Sequence, residues 1–78
     1  MLRGMELDAS AALHLLGERV RDARKRLGIS QEELAFRAEI DRTYVSQIER
    51  GVGNPSLVVL LRLSSVLEAP LARLLRSL

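Results

Sequence analysis

Arg42, Thr43, Ser46 and Gln47 are spaced so that, on a helix, they share one outward edge while Val45 and Ile48 turn away from it. Their chemistry is complementary to the edges of base pairs. An arginine fork donates two bonds to guanine, a glutamine amide pairs with adenine, and a threonine methyl meets the methyl of thymine. Ser46 brings a hydroxyl with two uses open to it, a base or the backbone of its own helix. Singly these are ordinary surface residues; as a group at this spacing they are suited to reading sequence.

Such an edge needs a helix of its own and a neighbour to hold it outward. Ser30-Gln31-Glu32-Glu33 reads as a capping box that starts a second helix, with Leu34, Ala35 and Ala38 as its apolar side. Glu39 and Ile40 break that helix, and Asp41 is expected to cap a third one running through Tyr44, Val45, Ile48 and Glu49. Two short helices joined by a tight turn make a helix-turn-helix unit, in which the first crosses the duplex backbone and the second enters the major groove.

The rest of the chain supplies support. Residues 1–9 read as a flexible lead-in and residues 10–78 as one domain, with Asp8 or Ser10 available to cap its first helix. Leu13, Leu16, Val20, Ala23 and Leu27 recur at helical spacing, and Gly28 follows as the natural left-handed closing residue. Ser56 is expected to cap a fourth helix, Leu57 to Leu67, whose apolar residues exceed one stripe. Leu57, Leu60, Leu61, Ser64 and Leu67 fit one face, and Val59, Leu63 and Val66 another. Pro70 suits the first turn of a last helix ending at Arg76, with Leu71, Leu74 and Leu75 turned inward. No β pattern occurs, so the fold class is all-α, with five helices. The surplus apolar surface predicts association, and Val59, Leu63, Val66 and Leu74 are assigned to a homodimer interface; a wholly intramolecular core is the alternative. A two-fold dimer would set two reading helices in successive major grooves, about 34 Å apart, on a palindromic operator.

Composition narrows the class further. Phe36 and Tyr44 are the only aromatic residues, too few for a single-strand stacking platform. Phe36 reads as core or core edge instead. Without cysteine and with His14 as the single histidine, no metal set and no cofactor are implied. There is no nucleophile with a base at usable spacing and no phosphate loop, so no enzyme is expected. No small-molecule ligand is evident either. The longest apolar run, Leu57 to Leu61, cannot span a bilayer, and a cytoplasmic, nucleoid-associated protein without membrane contact is the expectation. Net charge is only +2 although the pI is about 9.9, so patterning of the arginines matters more than bulk charge.

Taken together, four segments carry a resemblance. They are Leu16-Gly17-Glu18-Arg19-Val20-Arg21 on to Arg24, Gly28-Ile29-Ser30-Gln31-Glu32-Glu33-Leu34-Ala35, Val45-Ser46-Gln47-Ile48-Glu49-Arg50-Gly51, and Asn54-Pro55-Ser56-Leu57. From about Leu16 to Leu75 the chain resembles the phage-repressor or xenobiotic-response-element helix-turn-helix family. Asp41-Arg42-Thr43-Tyr44-Val45-Ser46 with Ile48-Glu49-Arg50 is similar, within that family, to the controller proteins of restriction-modification systems.

The resemblance implies a lambda-repressor-like five-helix domain with its helix-turn-helix at helices two and three, acting on operator DNA. It also implies that Arg42, Thr43, Ser46 and Gln47 face the groove, that Gln31, Tyr44, Arg50, Asn54 and Ser56 meet phosphates, and that Arg24 pairs with Glu49. Bland uses stay open beside these: Gln31 as a good second helical residue, Tyr44 as part of the core edge. Many relatives have glycine where this chain has Glu39, so the turn is either left-handed at some cost or different in shape. A dimeric, sequence-specific transcriptional regulator of operator DNA is the leading reading, with an autoregulatory restriction-modification controller as its narrower form. An antitoxin or phage-type repressor would use the same DNA chemistry, and a protein-binding adaptor would use the helical face differently.

Overall fold

Asp8 opens the described part of the chain, residues 8–78 of a computed structural model, by accepting the Ala11 amide at 3.1 Å. It thereby caps α1, Ala9–Arg26, and Ser10 already lies inside that helix. Of the lead-in expected over residues 1–9, residues 1–7 lie outside the described residues. Four more helices follow: α2 Gln31–Ala38, α3 Arg42–Glu49, α4 Leu57–Leu67 and α5 Leu71–Leu75. No strand occurs among the described residues.

Besides Asp8, helix starts follow the predicted caps in two places and depart from them in two. Ser30 Oγ accepts the Glu33 amide at 3.0 Å, and Ser56 Oγ accepts the Val59 amide at 3.2 Å. The return half of the capping box is replaced, because Glu33 turns to Arg37 one helical turn on, at 2.6 Å. Asp41 holds the N-cap position of α3 without a side-chain cap; its carbonyl takes the Tyr44 and Val45 amides instead. Pro70 precedes α5 as its N-cap rather than sitting in its first turn.

Each of the first four helices closes in one manner. Gly28, Glu39, Gly51 and Glu68 adopt φ of 72°, 60°, 78° and 54°. In each case the next amide then reaches back five residues, Ile29 to the Arg24 carbonyl, Ile40 to Ala35, Val52 to Gln47 and Ala69 to Ser64. This Schellman closure satisfies carbonyls that a helix end leaves open. Glycine adopts the left-handed conformation freely, whereas a side chain with Cβ costs about 1–2 kcal/mol there. Glu39 therefore takes the left-handed option for the inter-helix turn, and Glu68 ends α4 before Pro70 can.

The core is built from Leu16, Val20 and Ala23 of α1, Leu34, Ala35 and Ala38 of α2, Val45 and Ile48 of α3, Leu60, Leu63 and Leu67 of α4, and Leu74 of α5. Leu27 leaves the predicted stripe and is exposed as the residue that closes α1. Two interface assignments are corrected here. Leu63 is 0% exposed and Leu74 1%, so both belong to the interior of a single chain. The reason lies in the packing of α4 against α1, α2 and α5, which buries the stripe Leu60, Leu63 and Leu67 running between the two faces expected from sequence. Val59 and Val66 are half-buried at its margin, while Leu57, Val58 and Leu61 point outward. Phe36, expected in the core or at its edge, is 78% exposed.

One contact sets where α3 can lie. Gly17 is buried in α1, and a Cβ added to it would stand 2.4 Å from the Ile48 carbonyl oxygen and 2.7 Å from that of Glu49. The backbones of α1 and α3 meet there with no side chain between them.

Candidate nucleic-acid interface

Glu49 closes α3 from the inside. Its residue is 4% exposed and its side chain 0%, yet every hydrogen-bonding need of the carboxylate is met by a neighbour. Arg24 of α1 forks onto it, Nε to Oε2 at 2.6 Å and Nη2 to Oε1 at 3.0 Å. The same guanidinium donates through Nη1 to the Ile29 carbonyl at 2.9 Å, tying down the loop before α2. Gln31, the first residue of α2, donates its amide to Glu49 Oε1 at 3.0 Å. Arg21 adds a second cation at 3.5 Å. Three helices are thus fastened at one carboxylate.

Burial alone pushes the Glu49 carboxyl up; the hydrogen bonds from Arg24 and Gln31 and the charges of Arg24 and Arg21 outweigh it and hold the group below its ordinary value. In return, the Glu49 hydrogen bond raises the Arg24 guanidinium further, against a smaller opposing effect of burial. The Arg24–Glu49 contact is the one the resemblance implied. What sequence reasoning missed is the Gln31 amide, which points into this cluster. Arg21 was legible in principle, since it sits one turn before Arg24 on the same face of α1.

With Val45, Ile48 and Glu49 buried, the opposite side of α3 is left outward. Arg42, Thr43 and Gln47 are exposed there and Ser46 is half-buried, so the four proposed readers share one helix face. Tyr44 is half-buried and packs its ring against the core, with Ile40 of the turn also lying on that core. Arg50, Asn54 and Ser56 are exposed along the segment from the end of α3 to the start of α4. The Ser56 hydroxyl accepts as the α4 cap, which leaves its proton for an acceptor outside the chain. The outward amides at that helix start favour an anion such as a phosphate.

Among the described residues, no group of three or more His, Cys, Asp or Glu is placed to hold a metal ion. No helix among them is long and apolar enough to cross a membrane. The geometry offers hydrogen-bond donors and acceptors on a rigid edge.

Comparison with known proteins agrees with that geometry. The helix-turn-helix family HTH_3 matches residues 20–74. Control protein C.BamHI of Bacillus amyloliquefaciens is 44% identical over 54 residues, covering 68% of this chain and 67% of that protein. The transcriptional regulator SinR of Bacillus subtilis is 39% identical over 62 residues; the match takes in 78% of this chain but only 56% of SinR. Among solved structures, the restriction-modification controller protein C.AhdI from Aeromonas hydrophila superposes with a TM-score of 0.80 at 44% identity, covering 82% of this chain and 97% of that one.

Proposed function

The chain belongs to the helix-turn-helix family HTH_3 of DNA-binding transcriptional regulators, and from that premise we propose that it binds a palindromic operator as a two-fold homodimer. One observation carries the reading. Arg42, Thr43, Ser46 and Gln47 lie outward on a helix whose inner side is fixed by Val45, Ile48, the Glu49 cluster and the backbone contact at Gly17. Preorganised donors on a rigid element are what base readout needs. Arg42 is assigned to guanine, Gln47 to adenine, and Thr43 and Ser46 to neighbouring positions. Arg50, Asn54, Ser56 and Tyr44 are assigned to phosphates, which set register rather than sequence. Gln31 keeps a phosphate role only through its second amide proton, because the first is committed to Glu49.

The dimer is supported by the outward apolar residues of α4. Leu57, Val58 and Leu61 are 61%, 58% and 50% exposed on one short helix, with Val59 and Val66 half-buried beside them. An apolar patch of this kind marks an association site. Coupling of dimerisation to DNA binding makes protein concentration an input. The similarity to C.BamHI and C.AhdI favours a controller that acts on its own promoter.

Selection of binding sites from random duplexes tests this reading, run with the native chain and with Arg42→Ala. The native chain is expected to enrich two half-sites about one helical turn apart. Arg42→Ala is expected to cost about 1–3 kcal/mol and to relax preference at one position in each half-site. Absence of any salt-sensitive duplex binding would favour the protein-adaptor reading instead. Unchanged base preference in Arg42→Ala would take that residue out of the readout set.

A further inference from the structure

We propose that a recess between α1 and α5 binds a small phosphate-bearing anion at a site separate from the DNA-reading face. The recess has a volume of about 160 Å³ and is lined by Arg19, Asp22 and Arg26 of α1 with Arg73 and Arg76 at α5. Four arginines and one aspartate therefore line it. Arg21 and Arg24 pair with Glu49, and Arg37 pairs with Glu33. Among the described residues, Arg26, Arg73 and Arg76 make no ion pair. Cations lining one concave surface repel one another, and a dianion bound among them would remove that repulsion.

Arg19 gives the recess a fixed member. Its Nη1 donates to the carbonyls of Arg73 at 3.4 Å and Leu74 at 3.2 Å, and to that of Arg76. The guanidinium is held across the end of α5, while its Nη2 and Nε protons are uncommitted to those carbonyls. An anchored fork beside movable ones suits a tetrahedral oxyanion, because each fork can take two oxygens in parallel. The volume is below that of pockets enclosing drug-sized ligands, which run from roughly 300 Å³ upward. It suits one or two phosphate groups rather than a whole nucleotide.

The site is distinct from the nucleic-acid interface by helix geometry. At about 100° per residue, Arg19, Asp22 and Arg26 fall roughly opposite Gly17, Arg21 and Arg24 on α1. The latter set faces α3 and Glu49; the former faces α5.

Titration of the full chain with inorganic pyrophosphate, followed by amide chemical shifts at constant ionic strength, tests the proposal. Saturable shifts are expected in α5 and the last two turns of α1. The variant R73Q/R76Q is expected to weaken pyrophosphate binding by roughly tenfold or more, since two forks are lost. Lys25→Gln, outside the recess, is expected to leave it unchanged. Should R73Q/R76Q lose its helicity, Arg26→Gln on the other wall serves the same purpose. Shifts centred on the starts of α2, α3 or α4, or equal affinity in native chain and recess variants, would overturn the assignment. Operator affinity without pyrophosphate is expected to be the same for R73Q/R76Q and the native chain. A loss there would place these arginines in the DNA footprint and would also overturn it.

Discussion

At the scale of single residues, Glu49 holds a charge where solvent does not reach, and its surroundings decide what pH does to the fold. In the unfolded chain its carboxyl returns to the ordinary glutamate value, whereas in the folded chain it titrates lower, held down against burial by the Arg24 and Gln31 hydrogen bonds and the charges of Arg24 and Arg21. A group depressed on folding stabilises fully above its unfolded value, and that stabilisation is lost as pH falls through the folded one. Acid loss of stability is thus expected below about pH 4–5, with none from this group between there and neutrality. Glu49→Gln is expected to cost about 3–5 kcal/mol at neutral pH, because Arg24 is left charged and nearly enclosed. It should also flatten the acid slope. Urea unfolding of both proteins across that pH range checks this, and an unchanged slope in the variant would exclude Glu49 as its source. The Arg24–Glu49 pair could be reached through family resemblance. The Gln31 amide could not, because whether that amide turns inward or outward depends on where α3 ends, which no local pattern encodes.

At the scale of elements, Glu39 and Glu68 carry left-handed backbone where α2 and α4 close. Replacing Glu39 with glycine removes the Cβ clash of the turn but adds flexibility to the unfolded chain. The net is expected to favour the folded state by about 0.5–1 kcal/mol. A rise in the urea midpoint without change in slope checks it, and a fall would mean that the Glu39 side chain contributes a contact outweighing the strain. Helix existence and order were legible because caps, glycines and apolar spacing all act locally. The span of α4 is as expected, but its closure and the cap of α3 differ in detail. Glu68 rather than Pro70 ends α4, since a Schellman closure needs only a left-handed residue and partners behind it. Asp41 gives up its side-chain cap because its own carbonyl already takes two amides.

For the whole molecule, the question is which apolar residues belong to one chain and which to two. Periodicity showed that α4 has more apolar surface than one partner can cover, but not which third of it faces inward. Leu63 went to the wrong side for that reason: a helix clasped by three neighbours buries a stripe fixed by their angles, not by its own sequence; Leu74 of α5 is buried because that short helix packs against both α1 and α4. A pair of substitutions separates the two surfaces. Leu61→Glu is expected to give a folded monomer in sedimentation, with helicity kept and operator binding weakened. Leu63→Glu, forcing a charge into the core, is expected to unfold the chain instead. A dimer surviving Leu61→Glu with native affinity would move the interface off this face. The same view explains why Phe36 was misplaced. Aromatic residues favour interiors on average, but α2 is only eight residues long and its inward side is filled by Leu34, Ala35 and Ala38.

The direct meeting of α1 and α3 at Gly17 has an evolutionary consequence. Because main chain rather than side chain sets the distance between these helices, the reading helix keeps its position whatever outward residues it carries. Arg42, Thr43, Ser46 and Gln47 can then drift or be exchanged with little effect on the scaffold. New operators become accessible by substitution at a few positions, while the glycine that permits this exchange has no room for a side chain of its own.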